Sequence, residues 1–324
     1  MHQEIPILWM VIPCYNEKDA LPITKPALEK KMKDLIARDL ISEKSRVLFV
    51  NDGSKDGTWE LIKDYHADPL FNGINLSKNR GHQNALLAGL LTAKEFCDCA
   101  ISMDADLQDD IDAIDRMVEE YIRGADVVYG VRSKRDTDSW FKRFTAESYY
   151  KVLARMGAKI VYNHADYRLM SKKALEGLAQ FGESNLFLRG IVPMIGYESA
   201  TVEYERSERV AGESKYPLKK MLSFAFEGIT SLSTTPIKWI SRLGLLVFLV
   251  SFIMLIYSFV QYFSGNTIAG WASIIVSIWA IGGLILLSIG VIGEYIGKTY
   301  IETKNRPRFI IQDALLTEWE NRKE

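Results

Sequence analysis

The sequence predicts an α/β domain with a mostly parallel sheet, followed by a transmembrane hairpin of two helices. Three observations carry this. Short apolar runs alternate with longer amphipathic stretches over the first two-thirds of the chain, the pattern of strands joined by crossover helices. A polar cluster follows each of the first four apolar runs. No charged residue occurs between Leu243 and Gly293, room for two spans of about 20 residues and a turn.

The apolar runs Ile7–Ile12, Val47–Val50, Gly73–Leu76, Cys99–Met103 and Val127–Tyr129 read as strands. Leu28–Arg38, Thr58–Tyr65, Asn84–Ala93 and Ile111–Ile122 read as helices. Pro13-Cys14-Tyr15-Asn16-Glu17 follows the first strand and Asn51–Thr58 the second. Ser77–Gln83 follows the third and Asp104-Ala105-Asp106-Leu107-Gln108-Asp109 the fourth. Ligands of open α/β sheets sit beyond the carboxyl ends of strands, so four such clusters build one site.

The acidic cluster is the most informative. Two carboxylates one residue apart suit a divalent cation, which takes hard oxygen ligands, and a diphosphate bound to it. Asp-x-Asp pairs also cap helices, so the pair gains meaning from its place at a strand end. Asn51–Thr58 suits either a binding loop or a turn with a helix cap, and Asp56 reads as the cap. Lys78 and Arg80 suit a diphosphate or solvent. His82 suits a helix start or a ligand.

The bulk composition excludes several classes. With 324 residues the chain has room for two domains. A net charge of −1 supplies no basic field for nucleic acid. Cys14, Cys97 and Cys99 have neither metal spacing nor an even count, as expected of reduced, cytosol-facing thiols. Asn75-Leu76-Ser77 matches a glycosylation sequon but falls on a predicted strand. The apolar run Ile5–Ile12 follows Glu4 and ends at Pro13, unlike a signal peptide. No G-x-G-x-x-G follows the first strand, which argues against a dinucleotide dehydrogenase. Gly297-Lys298-Thr299 is no phosphate loop, since the required first glycine would fall at Ile292.

Ser264-Gly265-Asn266 and Gly270 mark a turn that divides the uncharged run into spans near Leu243–Tyr262 and Trp271–Ile292. Lys238 and Arg242 precede the first; Lys298, Lys304, Arg306 and Arg308 follow the second; the loop has none. The positive-inside rule then puts both termini and the catalytic domain in the cytoplasm. Trp239, Tyr262, Trp271 and Tyr295 fall at interfacial depth. With no charge inside, the pair reads as an anchor rather than a transport path. Gly282, Gly283, Gly290 and Gly293 permit close helix packing, hence a homo-oligomer. Trp140–Val161 and Pro217–Ile229 mix aromatic and basic residues as interfacial helices do. The expected division is a catalytic domain over 1–215, an interfacial segment over 216–240, two spans over 241–295 and a cytoplasmic tail over 296–324.

Taken together, these residues resemble family 2 inverting glycosyltransferases of the GT-A fold, a Rossmann-like architecture. The closer resemblance is to the polyprenyl-phosphate group, which includes bactoprenol glucosyltransferases and dolichol-phosphate mannose synthases. It runs through Pro13–Glu17, Asn51-Asp52-Gly53-Ser54, Asp104–Asp109, Gly130-Val131-Arg132, Asp166-Tyr167-Arg168-Leu169, Phe187-Leu188-Arg189-Gly190, Arg206, Gly212–Tyr216 and Gly293–Tyr300. Asp110 stands where the family usually has proline. His82-Gln83 replaces the Lys-Glu common in the glucosyltransferases.

The resemblance implies an inverting transfer of a hexose from a UDP-sugar, glucose first, to undecaprenyl or another polyprenyl phosphate for the cell envelope. UDP-N-acetylglucosamine and GDP-mannose remain alternative donors. Pro13, Tyr15, Asn16, Glu17, Asp52, Ser54, Arg80 and Asp104 are the implied donor contacts. Asp104, Asp106 and Gln108 would surround Mg²⁺ or Mn²⁺. Asp106 and Arg132 are the implied catalytic pair. Arg132, Arg143, Arg168, Arg206, Arg209 and Lys215 would hold the acceptor phosphate, for which arginine's planar fork is suited. A processive polysaccharide synthase fits less well, because no Gln-x-x-Arg-Trp occurs. A non-catalytic membrane scaffold would have little use for the retained aspartates and arginines.

Overall fold

The computed structural model describes residues 5–133, 164–183, 186–205, 235–264 and 270–320. Alternation along β1 (Leu8–Cys14) decides how the layers stack. Leu8, Met10 and Ile12 enter one core, while Trp9 and Val11 enter another, because successive strand side chains point to opposite faces. Helices α1 (Leu21–Ala37), α2 (Thr58–Tyr65) and α4 (Ala113–Arg123) fill the first core with Leu28, Met32, Ile62, Met117 and Val118. Helices α3 (His82–Ala93), α5 (Lys172–Ala179) and α6 (Leu188–Met194) fill the second with Leu86, Leu90, Leu175 and Ile191. Gly89 of α3 is required there, since a Cβ would collide with Val11 and Val50.

The sheet comprises β1, β2 (Arg46–Asn51), β3 (Phe71–Leu76), β4 (Cys99–Ser102), β5 (Val127–Arg132), β6 (His164–Ser171), β7 (Ser199–Tyr204) and β8 (Ile311–Leu315). Its order is β7-β5-β6-β4-β1-β2-β3-β8. β1 pairs in parallel with β2 and β4, β2 with β3, and β5 with β7. β6 runs antiparallel between β4 and β5, and β8 runs antiparallel to β3. The sheet is therefore mixed but mostly parallel, with helices on both faces.

Helix α1 starts seven residues before the Leu28 expected from the sequence, at Leu21. Pro22 lies in the first turn, where a missing N–H costs nothing. Pro26 lies inside the helix, and the burial of Leu21, Leu28, Met32 and Leu35 offsets its lost hydrogen bond. Cys14, Cys97 and Cys99 are unpaired and buried.

Two compact units emerge: residues 1–218 with 307–324, and residues 219–306. The segment 296–324, expected to be one cytoplasmic tail, is divided between them. Its β8 closes the β3 edge of the catalytic sheet. Asn72 accepts from the Thr317 N–H and hydroxyl, both at 3.1 Å, and donates to Glu318 at 2.9 Å. Asn75 donates to Asp313 at 2.9 Å. Arg308 donates to the Phe181 carbonyl at 2.8 Å.

The second unit holds α7 (Thr235–Phe263) and α8 (Trp271–Thr303), which touch each other. The expected hairpin thus appears as two consecutive long helices rather than a clear hairpin. Among the described residues, Ile281–Thr303 alone is long and apolar enough to cross a membrane, at 23 residues and mean hydropathy 1.5. α8 outruns its expected end at Ile292, continuing through Glu294 and Lys298, an i,i+4 pair 3.9 Å apart in the favourable order. The stretches expected to be interfacial, Trp140–Val161 and Pro217–Ile229, lie outside the described residues.

Candidate active site

Parallel pairing of β1 with β2 and β4 brings three strand ends to one edge of the sheet. The loops that leave them are tied together. Asn16 takes a left-handed backbone, φ 56°, which asparagine tolerates. In that conformation its N–H donates to Ser54 Oγ at 3.0 Å and its Oδ1 accepts the Lys55 N–H at 2.9 Å. The Glu17 N–H donates to Thr58 Oγ1 at 3.0 Å. Asp56 accepts the Thr58 N–H at 3.1 Å, the helix-start role its position suggested. Tyr15 is left exposed.

Asp52 is buried and accepts the backbone N–H groups of Arg80 at 2.7 Å and Gly81 at 2.9 Å. Burial raises its pKa, and those two bonds oppose the rise. The loop after β3 thereby closes on the loop after β2. The closure needs Gly53: φ is +64°, and a Cβ would stand 2.6 Å from Asn79 N and 2.7 Å from the Lys78 carbonyl carbon. Arg80 Nε is buried there without a hydrogen-bond partner.

The acidic cluster leaves β4 in a tight turn. Leu107 has φ 53° and the Gln108 N–H donates to Asp106 Oδ1 at 3.2 Å. Thr24 of α1 donates to the Ala105 carbonyl at 2.6 Å. Tyr167 donates to the Asp110 carbonyl at 2.9 Å, and Tyr204 to Asp109 Oδ1 at 2.6 Å. The turn is thus pinned from three elements.

Asp104 stays 44% exposed at the side chain, with His82 Nε2 3.6 Å from its Oδ1. The same nitrogen lies 4.0 Å from Asp166 Oδ2. Asp166 in turn accepts from Arg168 Nη2 at 2.8 Å and Arg189 Nη2 at 2.9 Å. Burial raises the Asp166 pKa, but Arg189, Arg168 and a hydrogen bond from Arg189 outweigh it and hold the carboxyl far below the usual range. Asp104 is shifted the other way: desolvation of its carboxylate, part-exposed as the side chain is, raises the pKa most, Asp166 and Asp106 add to the rise, and His82 and Arg189 oppose it.

This arrangement fits a divalent cation. Among the described residues no group of three His, Cys, Asp or Glu converges as a protein cage. Mg²⁺-type sites instead use one or two carboxylates and leave the other positions to phosphate and water. Asp104 and Asp106 would supply those hard oxygens, and a cation beside them would offset the charge that Asp166 and Asp106 add to the desolvation of Asp104.

The sequence profile described as Glycosyl transferase family 2 matches residues 9–178, from the first strand through the Asp166 segment. The chain belongs to glycosyl transferase family 2. It is 52% identical over 319 residues to the uncharacterized glycosyltransferase YkoT of Bacillus subtilis (strain 168), covering 98% of this chain and 95% of the relative. It is 41% identical over 309 residues to the bactoprenol glucosyl transferase of Shigella phage SfX, covering 94% and 98%. A mannosyltransferase from Pyrobaculum calidifontis, solved with GDP-Man and Mn²⁺, aligns over 94% of this chain and 88% of its own at 16% identity and a TM-score of 0.41. Membership of that family makes the protein an enzyme, a glycosyltransferase.

In this glycosyltransferase the expected donor residues Pro13, Tyr15, Asn16, Glu17, Asp52 and Ser54 lie in or beside the linked loops at the ends of β1 and β2. Arg80 closes on Asp52. Asp104, Asp106 and Gln108 share one turn, with Gln108 buried. Arg132 ends β5 and reaches Tyr204. Arg168 is a correction. It is 1% exposed, hydrogen-bonded to Asp166 and the Leu188 carbonyl, so its charge is spent inside the fold and not on an acceptor. Arg143, Arg206, Arg209 and Lys215 lie outside the described residues. Sequence reasoning assigned no role to Asp166, Arg189, Gln83 or Tyr204. Gln83 Oε1 accepts the Leu188 N–H at 2.8 Å and so docks α3 on α6. The signal for Asp166 lies in the Asp166-Tyr167-Arg168-Leu169 run, where the acid rather than the arginine faces the site.

Proposed function

We propose that this glycosyltransferase moves a hexose, glucose first, from a UDP-sugar to undecaprenyl or another polyprenyl phosphate, with inversion at the anomeric carbon. One observation carries the reading. The likeness to a bactoprenol glucosyl transferase spans 94% of the chain, so it takes in the long C-terminal helices as well as the catalytic domain.

Asp52 and the Pro13–Glu17 segment would hold the nucleoside, with Ser54 and Arg80 beside it. Mg²⁺ or Mn²⁺ held by Asp104 and Asp106, beside Gln108, would neutralise charge on the departing diphosphate. The acceptor is a phosphate monoester whose second pKa is about 6, by analogy with phosphorylated side chains. Its oxygen is already anionic at neutral pH and needs no general base. That oxygen forms the new bond to the anomeric carbon while the bond to the diphosphate breaks, and the electron pair leaves with UDP. The protein must then hold two anions together. Arg132 supports that role from the end of β5, and Arg143, Arg206, Arg209 and Lys215 are proposed to join it. The apolar stretch of α8 supports attachment to the cytoplasmic membrane. The proposed arrangement has α7 and α8 both spanning, both termini cytoplasmic and the enzyme a homo-oligomer.

The test offers purified full-length protein a panel of radiolabelled UDP- and GDP-sugars with undecaprenyl phosphate and Mn²⁺. The expected product is a labelled, monoglycosylated lipid formed fastest from UDP-glucose. Label appearing in no lipid overturns the acceptor; a faster GDP-sugar overturns the donor.

A further inference from the structure

Arg132 and Tyr204 are register partners at the ends of β5 and β7. The Ser133 N–H and hydroxyl both bond the Tyr204 carbonyl, at 3.0 and 3.2 Å, so the two strands finish together. The Tyr204 side chain is buried, and Tyr167 packs edge-on against it with ring centroids 5.2 Å apart. Its hydroxyl lies 2.6 Å from Asp109 Oδ1 and 3.4 Å from Arg132 Nε. An ionised carboxylate only accepts and a guanidinium only donates. The hydroxyl hydrogen must therefore go to Asp109, which leaves an oxygen lone pair turned to Arg132. One phenol joins the acidic turn to the arginine.

We infer that the Tyr204 hydroxyl is a positioning group, fixing the Arg132 guanidinium relative to the Asp104–Asp109 turn so that the acceptor phosphate is held against the bound donor. This rests on the assignment of Arg132 to the acceptor phosphate in the proposed function. Tyr204 is buried behind Arg132 and Asp109. It acts by setting where Arg132 points, and it ties that direction to the turn that carries the aspartates.

The test is a double-mutant cycle in purified full-length protein, with UDP-glucose, Mn²⁺ and undecaprenyl phosphate as probes. Tyr204→Phe keeps the ring and its packing on Tyr167 and removes only the hydroxyl. Its expected effect is a rise of about tenfold in KM for undecaprenyl phosphate, with the donor KM changed less than twofold. Added to Arg132→Ala, it should cost nothing further, because groups that act as one unit are not additive. Asp109→Asn removes the charge that orients the hydroxyl and should give the same acceptor-side defect. An unchanged acceptor KM in Tyr204→Phe, or losses that multiply in the cycle, overturns the inference while the functional reading stands. A wild-type enzyme that makes no labelled lipid overturns both.

Discussion

Arg189 grips Asp166 across two elements, its Nη2 2.9 Å from Oδ2. Asp166 shares that carboxylate with Arg168 on its own strand, so one acid joins β6, α6 and the buried floor of the site. Asp166 is 12% exposed at the side chain, Arg168 1% and Arg189 38%. Removing the acid strands a charge with no route to water. Asp166→Ala is expected to cost about 3–5 kcal/mol, read as a fall in the denaturant midpoint in detergent. Arg189→Ala should cost less, since Asp166 keeps Arg168. Equal midpoints for Asp166→Ala and the wild type would refute this account of the pair.

Gly53 is the tightest point between the two loops that close on Asp52. Alanine there would meet the Lys78–Asn79 backbone and force a left-handed residue. Backbone, unlike a flexible side chain, cannot swing aside. The loops should part and the donor KM should rise about tenfold to a hundredfold, measured at saturating acceptor. A Gly53→Ala enzyme with the wild-type donor KM would show that loop closure does not govern donor binding.

The β8 strand covers an edge that would otherwise pair with other chains. Removing residues 307–324 should turn the protein from monodisperse to aggregating in size-exclusion chromatography. Asn72→Ala is milder. It removes one partner each from the half-buried Thr317 and Glu318, which keep the Pro69 carbonyl and Arg46, and should cost about 1 kcal/mol in denaturant unfolding. A monodisperse truncated protein of wild-type stability would contradict the edge-covering role.

The parts of the fold legible in the sequence were those specified locally. Strands β1 to β5 are short apolar runs, and Thr58–Tyr65 was delimited as it is found. The loops of the candidate site were legible because strand ends in a parallel sheet share an edge. β6 was not, because its Arg168 is buried against the usual preference of arginine, whereas the resemblance assigns it to the acceptor phosphate. β8 was not, because Ile311–Leu315 is mostly exposed on a sheet edge. Its place is specified by Asn72 and Asn75, more than two hundred residues earlier in the chain. α1 begins before its apolar periodicity does, because Pro22 sits in the first turn, where a proline is harmless, and Pro26 is tolerated inside. Asp166 was missed because its partners Arg189 and His82 come from α6 and α3, which no local pattern brings to β6.

The most direct measurement is lipid glycosylation by the Asp104→Asn/Asp106→Asn enzyme and by chelator-treated wild type. If paired carboxylates and their cation stabilise the departing diphosphate, both should lose activity by at least on the order of a hundredfold, and added Mn²⁺ should restore only the wild type. Full-speed transfer by either preparation would contradict the account.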